Sequence, residues 1–274
     1  MKVKEKKVER IELFYDLIYV YAISKLTLLV EEQEGGIIPL SGFSRYVVVC
    51  FVILQAWLYL TNYVNRYGKW KWYEYAFTAV NMTAAVYMAN TISADWNRMS
   101  MTFNLAMLVM LLCVAAMYMI QVRLREQDTA AARNSLIILT VNCLLYFAAF
   151  LASAPHADQA VIWLVVAVVL TGAFLPFVIR GRFDVSIISF PHLVERFELI
   201  TIITFGESMV GMTDYFDVHA FSLRPVLVFA VILSLFGCYV TQVHYLCYHH
   251  RTARSLRLFC REKEISQNEV YETG

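Results

Sequence analysis

The residues most able to do chemistry are charges set inside apolar runs. The stretch IELFYDLIYVYAISKLTLLV (11–30) carries Glu12 and Asp16. Four residues apart, they share one helix face, with Tyr19 next along the same stripe. Lys25 lies nine residues beyond Asp16, which at about 100° per residue places it on the opposite face. A second stretch, FPHLVERFELITIITFGESMVGM (190–212), carries Glu195, Arg196, Glu198 and Glu207. Arg196 and Glu207 line up within about 20° on an ideal helix. Glu195 and Glu198 form a neighbouring stripe with Gly206, a small residue where another helix could approach closely. Ionisable groups at membrane depth are costly unless paired, and they mark ion and solute paths or proton relays. At a rise of about 1.5 Å per residue, Asp16 and Arg196 fall roughly 8–9 Å into a bilayer, and Lys25 and Glu207 roughly 21–25 Å. The economical pairings are Asp16 or Glu12 with Arg196, and Lys25 with Glu207. Glu207, deep and flanked by Gly206 and Ser208, is the principal functional candidate. The competing reading is that the inner pairs only fix helix register, with Glu12 shallow enough to reach the interface.

These charges need elements that hold them in a membrane, and the composition supplies such elements. Of 274 residues, 59% are apolar and 16% charged, with a mean hydropathy of +0.56. A soluble domain carries about 25% charged residues, so the chain reads as an all-α, polytopic integral membrane helix bundle. A net charge of +1 gives no reason to expect a nucleic-acid partner; the expected partner is the lipid bilayer. Spans of about 20 apolar residues fall near 11–30, 46–65, 73–94, 101–121, 134–153, 160–179, 190–211 and 226–247. Lys and Arg then orient the stack. Eighteen lie in the N-terminus, the even-numbered gaps and the tail, against three (Arg45, Arg98 and Arg224) in the odd-numbered gaps. Eight spans with both termini cytoplasmic follow, as one transmembrane domain over 1–250 and a polar cytoplasmic tail over 251–274. The first apolar run has no A-x-A site and reads as a retained helix rather than a cleaved signal peptide.

The remaining polar residues point to structure more than chemistry. None of the six cysteines falls in a predicted outer loop, so no disulfide framework is expected. Trp70 and Trp72 sit at the inner boundary and Trp96 at the outer one, as an aromatic belt would place them. His192, after Pro191, reads as an interfacial helix-start residue. His244, His249 and His250 crowd the inner end of the last span, where headgroup-facing histidines are commoner than metal ligands. Asn81, Asn104 and Asn142 read as interhelical glue. Gly172 and Pro176 read as a bend in the sixth helix. No Walker A loop, HExxH, G-x-G-x-x-G or aspartate cluster occurs, so neither a catalytic residue, a metal nor a cofactor is assigned. GESMVG has the wrong spacing for a nucleophile elbow.

The two charged stretches resemble a known family. VERIELFYDLIYVYAISKLT resembles the opening E-L-F-[FY]-D-L-[IV]-[FY]-V-x-A-I signature of the bacterial low temperature requirement protein A (LtrA) family. PHLVERFELITIITFGESMVG resembles its later H-L-x-E-R-F-x-L-x-x-I-x-x-x-G-E-S motif. Glu12, Asp16, Glu195, Arg196, Glu207 and Ser208 take the polar positions of these motifs, whereas Glu198 stands where many members have Gly. Family members are typically longer, which implies either a short member or the truncated end of a longer protein. VERIEL (8–13) and VERFEL (194–199) also share five of six positions, as a parallel repeat of six helices would require.

Three functions fit. The leading one is a secondary transporter or permease for a small solute or ion in the bacterial cytoplasmic membrane, not an enzyme. Glu12, Asp16, Tyr19, Lys25, Glu195, Arg196, Glu207 and Ser208 are its binding or proton-relay candidates. The second is a structural or regulatory membrane protein, and the third an intramembrane lipid-modifying enzyme.

Overall fold

Long apolar runs leave the backbone few ways to satisfy its polar groups away from water, and the α-helix does so within a single segment. The computed structural model describes residues 6–30, 39–93, 96–125, 129–153, 158–179, 188–213, 223–243 and 245, and its regular structure there is helical throughout. The helices are α1 (Arg10–Ser24), a 3₁₀ segment (Lys25–Val30), α2 (Leu40–Tyr67), α3 (Trp72–Thr91), α4 (Trp96–Leu124), α5 (Thr129–Ser153), α6 (Asp158–Val178) and α7 (Phe190–Thr213). An eighth, α8, covers Leu223–Val243. All eight correspond to a span expected from the sequence. Five helical stretches are long and apolar enough to cross a membrane: Gly42–Tyr67, Met99–Leu124, Thr129–Ser153, Ala160–Val178 and Leu223–Val243. The polar tail from 251, with His244, His249 and His250, lies outside the described residues.

The chain divides into two compact units, Met1–Glu207 and Ser208–Gly274. In the first, α3, α4, α5 and α6 pack as successive neighbours; α1 lies against α2 and α3, and α2 also meets α4 and α6. Its core is rich in large side chains, among them Trp57, Tyr63, Met88, Phe103 and Tyr146, all buried. Asn81, Asn104 and Asn142, all buried, act as the sequence suggested. Asn81 donates to the Met110 carbonyl at 3.0 Å, joining α3 to α4. Asn104 donates to the Ser153 hydroxyl at 3.1 Å, joining α4 to α5. Asn142 donates to the Tyr59 hydroxyl at 2.6 Å and accepts from Thr171 at 2.6 Å, tying α5 to α2 and α6. In the second unit, α8 has Leu227, Val231 and Leu235 exposed.

Gly172 does more than permit a bend. A Cβ there would lie 1.4 Å from Gln55 Nε2 and 2.5 Å from the Tyr59 hydroxyl. The missing side chain is what lets α2 close on α6.

The α2–α3 turn carries the other local feature that matters for the site. Gly68 ends α2 with its N–H on the Val64 carbonyl at 3.0 Å, and Trp70 follows in the left-handed region at φ 53. That conformation is unfavourable for a bulky residue and needs support from its surroundings. Glu74 gives it. Its buried carboxylate accepts from the Lys69 N–H at 3.1 Å, the Lys71 N–H at 2.7 Å and the Tyr63 hydroxyl at 3.1 Å. This cap starts α3 and holds the turn in the shape that aims Trp70 at α1.

Candidate functional site

Glu12 and Asp16 lie on one face of α1, as their spacing requires, and that face meets α7. Arg196 reaches across to both: Nε donates to Asp16 Oδ2 at 3.1 Å, a terminal nitrogen donates to Asp16 Oδ1, and the other donates to Glu12 Oε2 at 3.2 Å. The pairing expected between these helices is therefore present, and α1 and α7 are side-chain neighbours. Arg196 also lies between two aromatic faces, with its guanidinium carbon 5.6 Å from the Tyr15 ring centre and 5.5 Å from that of Trp57. Such stacking suits a planar guanidinium and would serve a lysine poorly.

Four side chains beyond those expected from the sequence complete the site. The Trp57 indole donates to Asp16 Oδ1 at 2.6 Å, and Trp70 donates to Glu12 Oε1 at 3.3 Å. His192 Nε2 meets Glu12 Oε2 at 2.7 Å. Asn65 fixes that histidine: its amide nitrogen donates to the Ser189 carbonyl at 2.9 Å and faces His192 Nδ1 at 3.0 Å, while its oxygen accepts from the Ser189 N–H at 3.2 Å. The backbone bonds set which end of the amide faces the ring. Nδ1 must then accept, and the ring proton sits on Nε2, donating to Glu12. His192 is four residues before Arg196 and so on the same face of α7, a signal that was available in the sequence. His192 lies at the start of α7, as expected, and is fully buried, with Glu12 and Asn65 at its two nitrogens. Trp57, Asn65 and Trp70 had no such signal, since only folding brings α2 and its turn onto α1.

Glu12, Asp16, His192 and Arg196 each expose 1% or less of their surface. Glu12 is thus sealed, contrary to the expectation that it reaches the interface. Lys6 lies nearby and donates to the Gly68 carbonyl at 3.1 Å, adding positive charge beside Glu12.

The outer tier does not assemble as expected. Lys25 sits over the Tyr21 ring, 5.4 Å from its centre, and among the described residues no ion pair joins it to Glu207. The reason is geometric: Lys25 opens the 3₁₀ segment beyond the end of α1, whereas α7 meets the Asp16 face of α1. Glu207 is exposed, as are Gly206 and Ser208, and a Cβ at Gly206 would have nothing within 4 Å. The stripe shared by Arg196 and Glu207 is thus buried at one end and open at the other. Glu195 is exposed and Glu198 half-buried. Tyr19 lies tilted against Tyr15, ring centres 4.6 Å apart, but its hydroxyl donates to Asn81 at 3.3 Å. The two VER-x-EL segments take different environments, since Glu12 and Arg196 are buried while Arg10 is exposed and Glu198 only half-buried.

Both helices of this cluster, and everything between them, fall within one family match: the model of the bacterial low temperature requirement A protein (LtrA) matches residues 7–267. The chain belongs to the LtrA family. Comparison with curated proteins gave no match, and comparison with solved structures gave none. In this LtrA protein the two segments that carry the family resemblance are therefore the two that meet in the buried cluster, through Glu12 and Asp16 from one and His192 and Arg196 from the other.

Proposed function

We propose that this LtrA protein is a multi-pass protein of the bacterial cytoplasmic membrane, with eight crossings and both termini inside, and that it is a permease for a small solute or ion. The eighteen-to-three partition of Lys and Arg supports the orientation. The single observation that carries the permease reading is the make-up of the α1–α7 contact. A register-fixing pair needs one carboxylate and one arginine. Here two buried carboxylates share one guanidinium, and an imidazole is held against one of them. Protonating Glu12 or Asp16 removes an ionic part of what holds α7, beside the apolar contact of Phe197 with Trp57, which makes the contact a proton-sensitive latch. This reading assigns the protein no enzymatic activity and no cofactor.

A second reading, a static clamp, is favoured by the completeness of the shell around the four side chains. Glu12→Gln separates the two. It mimics the protonated acid and keeps an acceptor for His192 and Arg196. In the full chain, a latch gives normal membrane abundance with failed complementation of growth at low temperature. A clamp loses abundance and complementation together or retains both.

A further inference from the structure

Two charges that the acid cluster leaves out stand at nearly one height. Glu12 meets His192 and Asp16 meets Arg196, so α1 and α7 run parallel and are pinned level with each other. Lys25 is nine residues beyond Asp16, and Glu207 eleven beyond Arg196. At about 1.5 Å per residue they rise roughly 13–14 and 16–17 Å above the same anchor. Among the described residues, neither meets an opposite charge within its own chain: Lys25 sits over the Tyr21 ring, and Glu207 is in no ion pair. The face of α7 around Glu207 is open. Ile202, Gly206, Val210 and Gly211 are exposed with it, and a Cβ at Gly206 or Gly211 would meet nothing within 4 Å. Such glycines let the backbone of another helix come close. A carboxylate on an open helix face at membrane depth is costly unless a cation meets it.

We infer that this face of α7 docks on a second copy of the chain, with Glu207 paired to the partner's Lys25 and Lys25 to the partner's Glu207. Charge and depth together select that occupant. Two copies related by an axis along the membrane normal keep every residue at its own height, while the directions in which their helix faces point are changed. A pair that matches in height but fails within one chain, because the faces do not meet, is therefore available between chains. A closed two-fold arrangement makes the contact twice, and it is the commonest symmetry for identical chains. Lys25 by itself can extend its stem toward the headgroups, but the shorter Glu207 needs a cation brought to it. The inference rests on α1 and α7 crossing the membrane and not on the permease reading. Each copy keeps its own α1–α7 cluster, so docking adds an interface and leaves the fold of the chain as it is.

The test is association of the full chain in phosphatidylcholine–phosphatidylglycerol vesicles. It is read as energy transfer between copies carrying a donor or an acceptor at the N-terminus, over a series of protein-to-lipid ratios. The parent should associate saturably. Lys25→Glu and Glu207→Lys each set like charges at both contacts, and each should weaken association at least about tenfold. Mixed together, donor-labelled Lys25→Glu and acceptor-labelled Glu207→Lys regain opposite charges at both contacts and should associate as the parent does. That rescue belongs to pairing between chains, since a pair within one chain is restored only by both substitutions in the same chain. Melting of each variant in detergent verifies that it is folded. One that is not is replaced by Lys25→Gln or Glu207→Gln, which should weaken association in the same direction. A parent that stays monomeric at every ratio, folded single variants that associate as the parent does, or a mixture no better than its components would each overturn the inference.

Discussion

Removing Arg196 is the sharpest perturbation of the α1–α7 cluster, because one side chain pairs with two acids. In Arg196→Met, Glu12 and Asp16 remain at 1% and 0% exposure, and Asp16 loses both guanidinium bonds while Glu12 loses one. Trp57, Trp70 and His192 still donate, but none of them is a fixed positive charge. Methionine fills much of the space between Tyr15 and Trp57, so the cavity contribution is small and the electrostatic one dominates. Breaking a buried pair by removing one partner costs about 3–5 kcal/mol. At roughly 2–4 °C per kcal/mol for a chain of this size, the melting temperature should fall by about 6–20 °C. Thermal melting of the purified protein in detergent, followed by intrinsic fluorescence, measures this. The compensated triple variant, Glu12→Gln with Asp16→Asn and Arg196→Met, removes the stranded charges and should recover more than half of the loss. A single variant melting within about 3 °C of the parent would refute the closed, mutually neutralising cluster.

Three further outcomes follow from the geometry. Trp57→Phe keeps an aromatic ring but deletes the donor 2.6 Å from Asp16 and leaves part of a fully buried volume empty, and should cost about 2–4 kcal/mol in the same melting assay; an unchanged midpoint would mean that neither the indole bond nor its packing contributes. Gly172→Ala forces the flexible Gln55 amide aside and presses on the Tyr59 hydroxyl that Asn142 holds at 2.6 Å, and should lower stability by about 1–3 kcal/mol, whereas Gly172→Leu should cost about 3 kcal/mol or more; equal melting of the two would contradict the close α2–α6 approach. Glu207→Gln alters an exposed residue, so melting should move by less than about 0.5 kcal/mol, while complementation at low temperature fails if Glu207 handles the solute. Full complementation would remove Glu207 from the site.

Much of this was legible in the sequence, and the reason is local. Helix positions follow from runs of apolar residues, a property of consecutive side chains, so all eight helices fall where the runs lie. The α1–α7 contact was legible too: four-residue spacing puts Glu12 and Asp16 on one face, and similar depth leaves Arg196 as their nearest affordable partner. Spacing alone could have added His192. What tertiary structure decided is everything that depends on rotation about a helix axis and on third parties. Lys25 and Glu207 match in the depth expected from the sequence, but depth is one coordinate, and Lys25 opens the 3₁₀ segment beyond the α1 face that meets α7. The closure of the cluster by Trp57, Asn65 and Trp70 depends on α2 lying beside α1 and on a left-handed turn at Trp70, held by Glu74. No periodicity encodes that turn, because its stability comes from a carboxylate on the next helix rather than from the residues within it.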